Sequence, residues 1–474
     1  MLTRCFSLTL IIGIIFCSSA CRPFHPDPVA SLAGLIPDNF STFTSDAEPG
    51  LKWWETFQDP ELNTLIEDAF SDNMNLQALW SRVEQARALS AIAGADLYPD
   101  LFATASTVYS RRQTENDSLS SNTSRDYSLG ISGGYELDLW GKNLAEKQAA
   151  VQFAEAGEQD FGAAAVTLAA EITDRWLQII SQRMQLRLLN DQLRNNETIL
   201  ELIKLRFRQS MVSVLDVYQQ QQVIDNIRAK LPLVEARKRR LANELAVLSG
   251  KAPHGTSEIL RADLPDLAPM PPSGIPANLL ENRPDIRAAQ LRLESAGWNL
   301  AAARADRLPN IFFSAGAGFS SRHLDLLLDN WVLSLASNIT APIFDGNRRA
   351  SEVERAGAFE DENLAIYRQT VLEAIREIED ALVTETTQVE HIERLEQVID
   401  TARKALEQAA IRYRHGLNDY LPVLTQILTV QDLELNLIDQ RTILLANRVD
   451  LFRALGATWT SDLISSDIEA KPGA

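Results

Sequence analysis

Residues 163–210 read AAAVTLAAEITDRWLQIISQRMQLRLLNDQLRNNETILELIKLRFRQS. They contain neither Gly nor Pro, the residues that most readily end a helix. An apolar side chain recurs every seven positions, at Ala165, Ile172, Ile179, Leu186, Leu193, Leu200 and Phe207. Leu168, Leu189 and Ile203 fall on the companion series three residues further on. A seven-residue repeat held over this many turns predicts a left-handed supercoil rather than a compact-domain helix. At about 1.5 Å per residue the stretch spans about 70 Å, whereas an ordinary helix has about 11 residues. Such an element is a scaffold or the wall of something long.

The pattern returns 206 residues later as Val371, Ile378, Glu385, Ile392, Ile399, Leu406 and Tyr413, with only Glu385 out of type. Residues 358–415 again lack Gly and Pro. Upstream, Leu308-Pro309-Asn310-Ile311-Phe312 answers Tyr98-Pro99-Asp100-Leu101-Phe102, and Arg292, Glu294 and Ala296 answer Arg82, Glu84 and Ala86 identically. The chain therefore reads as two copies of one unit.

Between the helical stretches the period changes to two. Tyr127, Leu129, Ile131, Gly133, Tyr135, Leu137 and Leu139 alternate with polar or glycine positions, which predicts a strand with one apolar face. Strands are expected at about 102–112, 127–139, 311–321 and 331–343. The polar segment Thr114 to Asp126 reads as a loop. Each unit is then strand, strand, long helix, tight turn and returning helix. The turns lie at Arg208–Ser213 and Arg414–Asp419, with Ser210 and Gly416 at their tips. Gly416 suits the left-handed position after a helix. Ser213 with Asp216 predicts a cap for the first returning helix, and Asp419 is expected to cap the second. Pro422 is tolerated because it falls in the first turn.

The remaining divisions follow from composition. Residues 1–20 form a secretory signal, with Arg4 ahead of the apolar run Leu8–Phe16 and small residues at 18–20. Residues 21–73 form an N-terminal arm and an entry helix. The first repeat covers 74–250, a Pro-rich linker 251–282, the second repeat 283–456 and a polar tail 457–474. Small residues before Cys21 resemble a bacterial lipobox, so Cys21 is the expected lipidation site, although Ser18 stands where Leu is usual. Arg22 follows it where enterobacterial inner-membrane retention uses Asp, so by that resemblance the destination is the outer membrane. The other two cysteines leave with the signal, which excludes an internal disulfide in the mature chain. The formal net charge of −19 argues against nucleic acid as a partner.

Four strands of about ten residues, apolar on one side, have the length of outer-membrane strands. A sheet in lipid must close, because an open edge leaves backbone groups unpaired. Known barrels have about eight strands or more, so four must be shared between chains. Three copies give twelve strands, continued by the helices as a coiled-coil cylinder. Taken singly, alternating strands also suit a soluble sandwich, and heptads a plain coiled-coil rod. The signal, the strand pairs set between long helices and the duplication together favour the barrel.

Several motifs then carry a resemblance over nearly the whole mature chain. They are Trp53-Trp54…Phe57-x-Asp59, Arg82-x-x-x-Ala86, Leu97-Tyr98-Pro99, Leu137-x-Leu139-Trp140-Gly141, Arg283-Pro284-Asp285-Ile286, Pro342-Ile343-Phe344-x-Gly346 and Arg412-Tyr413-x-x-Gly416. The chain resembles the outer membrane factors, the TolC-like trimeric channel-tunnels, and within them the lipoprotein branch of multidrug efflux subunits. The resemblance implies a mainly α chain with membrane β structure: a homotrimeric, twelve-stranded barrel continued by a helical tunnel across the periplasm. It implies docking to a periplasmic adaptor and an inner-membrane transporter, and a Gram-negative outer-membrane location with lipid contact. It also implies a constriction at the periplasmic helix turns. There the family's Leu and Asp rings correspond to Leu421 and Thr425, a neutral hydroxyl replacing the carboxylate. Asp419 or Asp216 would then supply the charge. Tyr413 matches a tyrosine that braces neighbouring helices, with Asn418 where its Arg partner is usual.

The five histidines are scattered without metal-ligand spacing, and no nucleophile motif or phosphate loop is present, so no cofactor, metal or enzymatic chemistry is implied. A duct for small molecules is the leading expectation. The exit of a type I protein secretion system, or a periplasmic scaffold without a pore, are the alternatives.

Overall fold

The computed structural model describes residues 23–26, 36–37, 40, 52–116, 118–253, 259–267, 269–271, 282–456 and 459–464. The signal segment and Cys21 lie outside the described residues. In chain order the elements are α1 (Pro60–Asp72), α2 (Met74–Ala95), β1 (Asp100–Asn116), β2 (Ser118–Leu137), α3 (Lys142–Arg208) and α4 (Val214–Leu248). The second half has α5 (Pro284–Ala305), β3 (Asn310–Ser321), β4 (Trp331–Thr340), α6 (Arg348–Arg414) and α7 (Leu421–Leu455). The duplication is visible in helix lengths. α2, α3 and α4 have 22, 67 and 35 residues, and α5, α6 and α7 repeat those lengths in the same order.

The chain folds into two compact units, each drawing on both halves. The first contains Arg82–Gly157 and Ala288–Arg368 and holds the sheet. Its four strands are antiparallel in the order β1-β2-β3-β4. Directly opposed residues share a face, so the register sorts the side chains. One row is Ala105, Leu129, Phe319 and Trp331; the next is Ala103, Ile131, Ala317 and Leu333; Leu137, Ile311 and Ile339 form another. The apolar face therefore runs across all four strands, with Thr107, Ser321 and Ser337 as its polar interruptions. The reverse face carries Ser128, Ser132, Ser314, Ser320, Ser334 and Asn338, with Phe102, Val108, Phe312, Val332 and Ala336 as its apolar exceptions. Within one chain the apolar face is bare: Trp331 is 69% exposed and Leu335 82%.

The sheet corrects two expectations. Residues 114–116 and 118–126 of the expected loop are strand, because β1 continues to Asn116 and pairs with β2 as far as Asn116↔Ser118. Polarity is a poor loop signal here, since ladder bonds come from the backbone. Hydroxyl pairs also cross the hairpin at 2.8 Å, Ser106 with Ser128 and Ser110 with Ser124. The expected ends of β2 and β4 at 139 and 343 are too long. Asp138 leaves the ladder to accept the N–H groups of Asn143 (3.2 Å) and Leu144 (2.8 Å) at the start of α3. β4 stops before Pro342, which has no N–H to give. Beyond each hairpin the chain turns into its long helix through a left-handed glycine, Gly141 (φ 75°) and Gly346 (φ 64°). Two residues after Gly141, Asn143 Nδ2 donates to the carbonyl of Asp96 at 3.2 Å. In the second copy, Arg349, three residues after Gly346, donates from Nε to the carbonyl of Asp306 at 2.9 Å. The duplicated joint is thus kept with a different side chain.

The second unit contains the rest of the long helices with the returning helices α4 and α7. Most of the heptad series is buried, Ala165, Ile172, Ile179 and Leu200 in the first copy and Val371, Ile378, Ile392 and Ile399 in the second, whereas Leu186, Leu193, Leu406 and Tyr413 are half-buried and Phe207, near the turn, is exposed. Glu385, the one residue out of type, is also buried, with 2% of its surface exposed. It forms an ion pair with Arg448 of α7, whose Nε donates to it at 2.8 Å and whose Nη1 donates to the carbonyl of Pro269 at 2.9 Å. Pro232 lies inside α4, where its ring removes one helical hydrogen bond.

The Trp53-Trp54 motif packs here. Trp53 stacks on Phe452 (5.3 Å between centroids) and Trp54 meets Trp459 edge-on (5.0 Å). Asp59 caps α1 by accepting the N–H of Glu61 at 3.0 Å, and Arg261 donates to its other oxygen at 2.9 Å. The polar tail expected from 457 is corrected in its first part: Trp459 is buried and 460–464 are helical. Trp459 is the apolar anchor that composition hides.

Breaking a buried pair by removing one partner costs about 3–5 kcal/mol, because the other charge is left unpaired. Glu385→Leu should therefore lower the denaturation midpoint sharply. The double variant Glu385→Leu/Arg448→Met should recover most of the loss. Chemical denaturation followed by circular dichroism measures both, and an unaffected single variant would refute the pair's role.

Candidate constriction at the helix turns

The two turns between long and returning helices share one backbone solution. In the first, the N–H of Met211 bonds the carbonyl of Arg206 (2.9 Å) and that of Ser210 bonds Phe207 (2.9 Å). In the second, Leu417 bonds Arg412 (2.9 Å) and Gly416 bonds Tyr413 (3.1 Å). This is the Schellman arrangement, which needs a left-handed residue after the helix. Gly416 supplies it at φ 71°, and Ser210 at φ 59°. The tips fall at Ser210 and Gly416 as the sequence indicates.

The returning helices start differently. Ser213 and Asp216 form the expected capping box on α4, with Ser213 Oγ accepting the N–H of Leu215 at 3.1 Å and Asp216 Oδ2 that of Ser213 at 3.2 Å. The expected cap by Asp419 is absent. α7 begins after Tyr420, which has helical dihedrals and makes no side-chain cap bond, and Asp419 stands exposed ahead of it. Pro422 explains the change: it removes an N–H that a cap would otherwise satisfy.

Tyr420 instead points inward and is 2% exposed. Its hydroxyl donates to Gln220 Oε1 at 2.5 Å. Gln220 Nε2 donates in turn to Asn196, at 2.9 Å to the carbonyl and 3.0 Å to Oδ1. Asn196 Nδ2 donates to the carbonyl of Gln192 at 2.7 Å. All three residues are buried and tie α7, α4 and α3 together. Leu189, Ile203, Val223, Val423, Leu424 and Ile427 pack around them. Tyr413 lies over this core, its ring 5.5 Å from that of Tyr420 and 4.6 Å below the guanidinium of Arg206. Burial pushes the Tyr413 hydroxyl above the ordinary tyrosine range. Tyr420 moves the same way, by burial first and then by the nearby Tyr413 and Asp216.

The expected site residues fall into two groups. Tyr413 and Asp216 belong to the buried cluster or its edge. Leu421 and Thr425 are exposed on α7 one turn apart, Leu421 at 56%. The Thr425 hydroxyl donates back to the carbonyl of Leu421 at 3.0 Å. Asn418 pairs with Arg412 at 3.0 Å, so within one chain Tyr413 leans on Arg206. Sequence reasoning missed Arg206, Gln220, Asn196 and Tyr420. One signal was available: Asn196 interrupts the Leu168–Leu189–Ile203 series, and a polar residue in a heptad core fixes register.

An in-register apolar sheet face and heptad helices ending in tight turns define a subunit of a membrane channel. The chain belongs to the outer membrane efflux protein family, whose profile matches residues 65–251 and 275–457. The pyoverdine export outer membrane protein OpmQ of Pseudomonas putida is 31% identical over 476 residues, covering 96% of this chain and 97% of that protein. The toluene efflux pump outer membrane protein TtgF of Pseudomonas putida is 32% identical, covering 89% of this chain and 88% of its own length. The outer-membrane channel OprN superposes with a TM-score of 0.83 at 28% identity, over 92% of this chain and 98% of that one. The protein is an outer-membrane efflux component.

Tyr420→Phe should loosen the turn by about 1–3 kcal/mol, since it leaves the buried Gln220 acceptor unsatisfied. Hydrogen exchange at the start of α7 would report it. With folded pKa values above the unfolded one of about 10, the tyrosines contribute stability fully below that value. The contribution is lost as pH rises through the folded values. Wild-type protection at the turns should therefore fall in alkali, and less in Tyr420→Phe. Equal alkaline loss in both would refute the assignment.

Proposed function

We propose that three copies of this chain form the exit duct of a tripartite efflux system. The carrying observation is the sheet: its apolar face is bare across four strands while β1 and β4 have open edges. In lipid those edges must pair, and β4 of one copy with β1 of the next closes twelve strands. The long heptad helices continue as the periplasmic tunnel. Leu421 and Thr425 ring its constriction, and the exposed Asp419 supplies the negative charge there. Asp216 serves the capping box and contributes to the field from behind. Tyr413 with Asn418 braces neighbouring turns.

Flow through the subunit is passive, without enzymatic chemistry, and an inner-membrane transporter coupled by a periplasmic adaptor supplies the energy. Cys21 carries the lipid that adds to the outer-membrane hold. The relatives support a duct whose cargo is chosen elsewhere, since proteins of about equal identity are named for pyoverdine and for toluene. The proposal extends to small molecules as a class.

Planar-bilayer recording with native mass measurement tests this reading. A trimer of small, cation-favouring conductance is expected, with conductance rising in Leu421→Ala and selectivity falling in Asp419→Asn. A monomer or dimer without conductance would sink it. Cys21→Ser should abolish incorporation of labelled palmitate, and undiminished labelling would place the lipid elsewhere.

A further inference from the structure

The apolar face of the sheet has a defined upper end. The row Leu129, Phe319 and Trp331 is followed by Tyr127 on β2, and Tyr109 stands opposite Arg125 on β1. Aromatic side chains at this level mark the boundary between hydrocarbon and headgroups. Immediately beyond it the same face carries two arginines. Arg111 follows Tyr109 by two residues, and Arg125 precedes Tyr127 by two. Arg111 is opposite Thr123 and Arg125 is opposite Tyr109. The two are diagonal neighbours on one face, about 7–8 Å apart at the backbone.

Two guanidiniums so placed repel each other, yet among the described residues neither is in an ion pair. Asp126, next in sequence to Arg125, takes the reverse face opposite Val108. Arg125 is held up by the Tyr109 ring, its guanidinium carbon 5.7 Å from the centroid. Both side chains are exposed. General basicity does not explain the pair, because the chain as a whole carries −19. Their common environment on the lipid-facing side is the headgroup layer, where the anionic group is phosphate.

We infer that Arg111 and Arg125 form a binding site for the phosphate groups of a glycolipid of the outer leaflet, whose acyl chains lie on the apolar face below. A planar guanidinium engages phosphate through paired N–H donors. The aromatic row beneath sets the depth of the lipid. The inference rests on the barrel reading, because it takes the apolar face as the lipid face.

The test uses the full-length protein in detergent, titrated with bisphosphorylated lipid A, its monophosphoryl form and phosphatidylethanolamine. Bound lipid per chain is counted by native mass spectrometry. Wild type should prefer the bisphosphorylated lipid, and Arg111→Gln/Arg125→Gln should weaken it about tenfold, the loss of one or two charge-assisted contacts. Arg111→Lys/Arg125→Lys should fall between the two, because lysine keeps the charge and loses the paired donors. Trimer mass and conductance should be those of wild type in both variants, which separates this result from a failure of the barrel. Wild-type affinity in the glutamine variant would overturn the site. So would displacement of the lipid by excess inorganic phosphate, which would make it a free-anion site. A wild-type protein without trimer or conductance would remove the barrel on which the site stands.

Discussion

An unpaired strand edge is the constraint on which the rest of this molecule depends. Hydrocarbon offers no hydrogen bond to a free N–H or C=O, and each such group costs several kcal/mol there. One chain of this protein ends its sheet at β1 and β4 and leaves the apolar rows of Phe319, Trp331 and Leu335 uncovered. The bare face is unfavourable in water and the open edges are unfavourable in lipid, so a single copy suits neither. Together they require other copies at the edges and lipid on the face. The alternation that makes the face also leaves serines, glycines and asparagine on the reverse, so the face that lines the proposed lumen is wet by construction.

The helical part meets a different demand. A wall of 67-residue helices built only from Leu, Ile and Ala could slide by a heptad at little cost, since each position would find a similar neighbour. Polar groups buried in the seam remove that freedom. Glu385 has its ion-pair partner at Arg448, and Asn196 has a donor at Gln220. A shift of one heptad would bury each without a partner, at a cost of several kcal/mol for the charge. Contributions of this kind to register are well attested in coiled coils. Glu385, an exception in the apolar pattern, is thus part of what the pattern needs.

Legibility in the sequence tracks the range of the physics. Period and turn chemistry act over a few residues, so the heptads, the alternating strands, the tips at Ser210 and Gly416 and the Ser213–Asp216 cap could all be read directly. Failures occur where a partner distant in sequence decides the outcome. Thr114 to Asp126 reads as a loop because its side chains are polar, but β1 and β2 pair through the backbone. Trp459 is hidden in a polar tail until Trp54 and Phe70 are brought to it from the other end of the chain. The Tyr420–Gln220–Asn196 relay joins residues about two hundred positions apart at its widest step. A local reading could see only that Asn196 was out of place.

Comparison of the two turns shows what duplication left free to change. Both keep the same backbone bonds and the same left-handed position, because reversal of a long helix in a few residues permits little else. Past that position they diverge. The first turn closes with a local capping box, which fixes the start of α4 by its own neighbours. The second has Pro422 in place of a cappable N–H and relies on Tyr420, whose hydroxyl reaches across to α4. The residue that follows Tyr420 is Leu421. The exposed side chain proposed to narrow the duct is therefore held by a buried contact one residue away, and its position depends on how α7, α4 and α3 pack together. A local cap would have made the turn independent of that packing. The relay makes the placement of Leu421 sensitive to it, as the proposed constriction would need in order to widen during export.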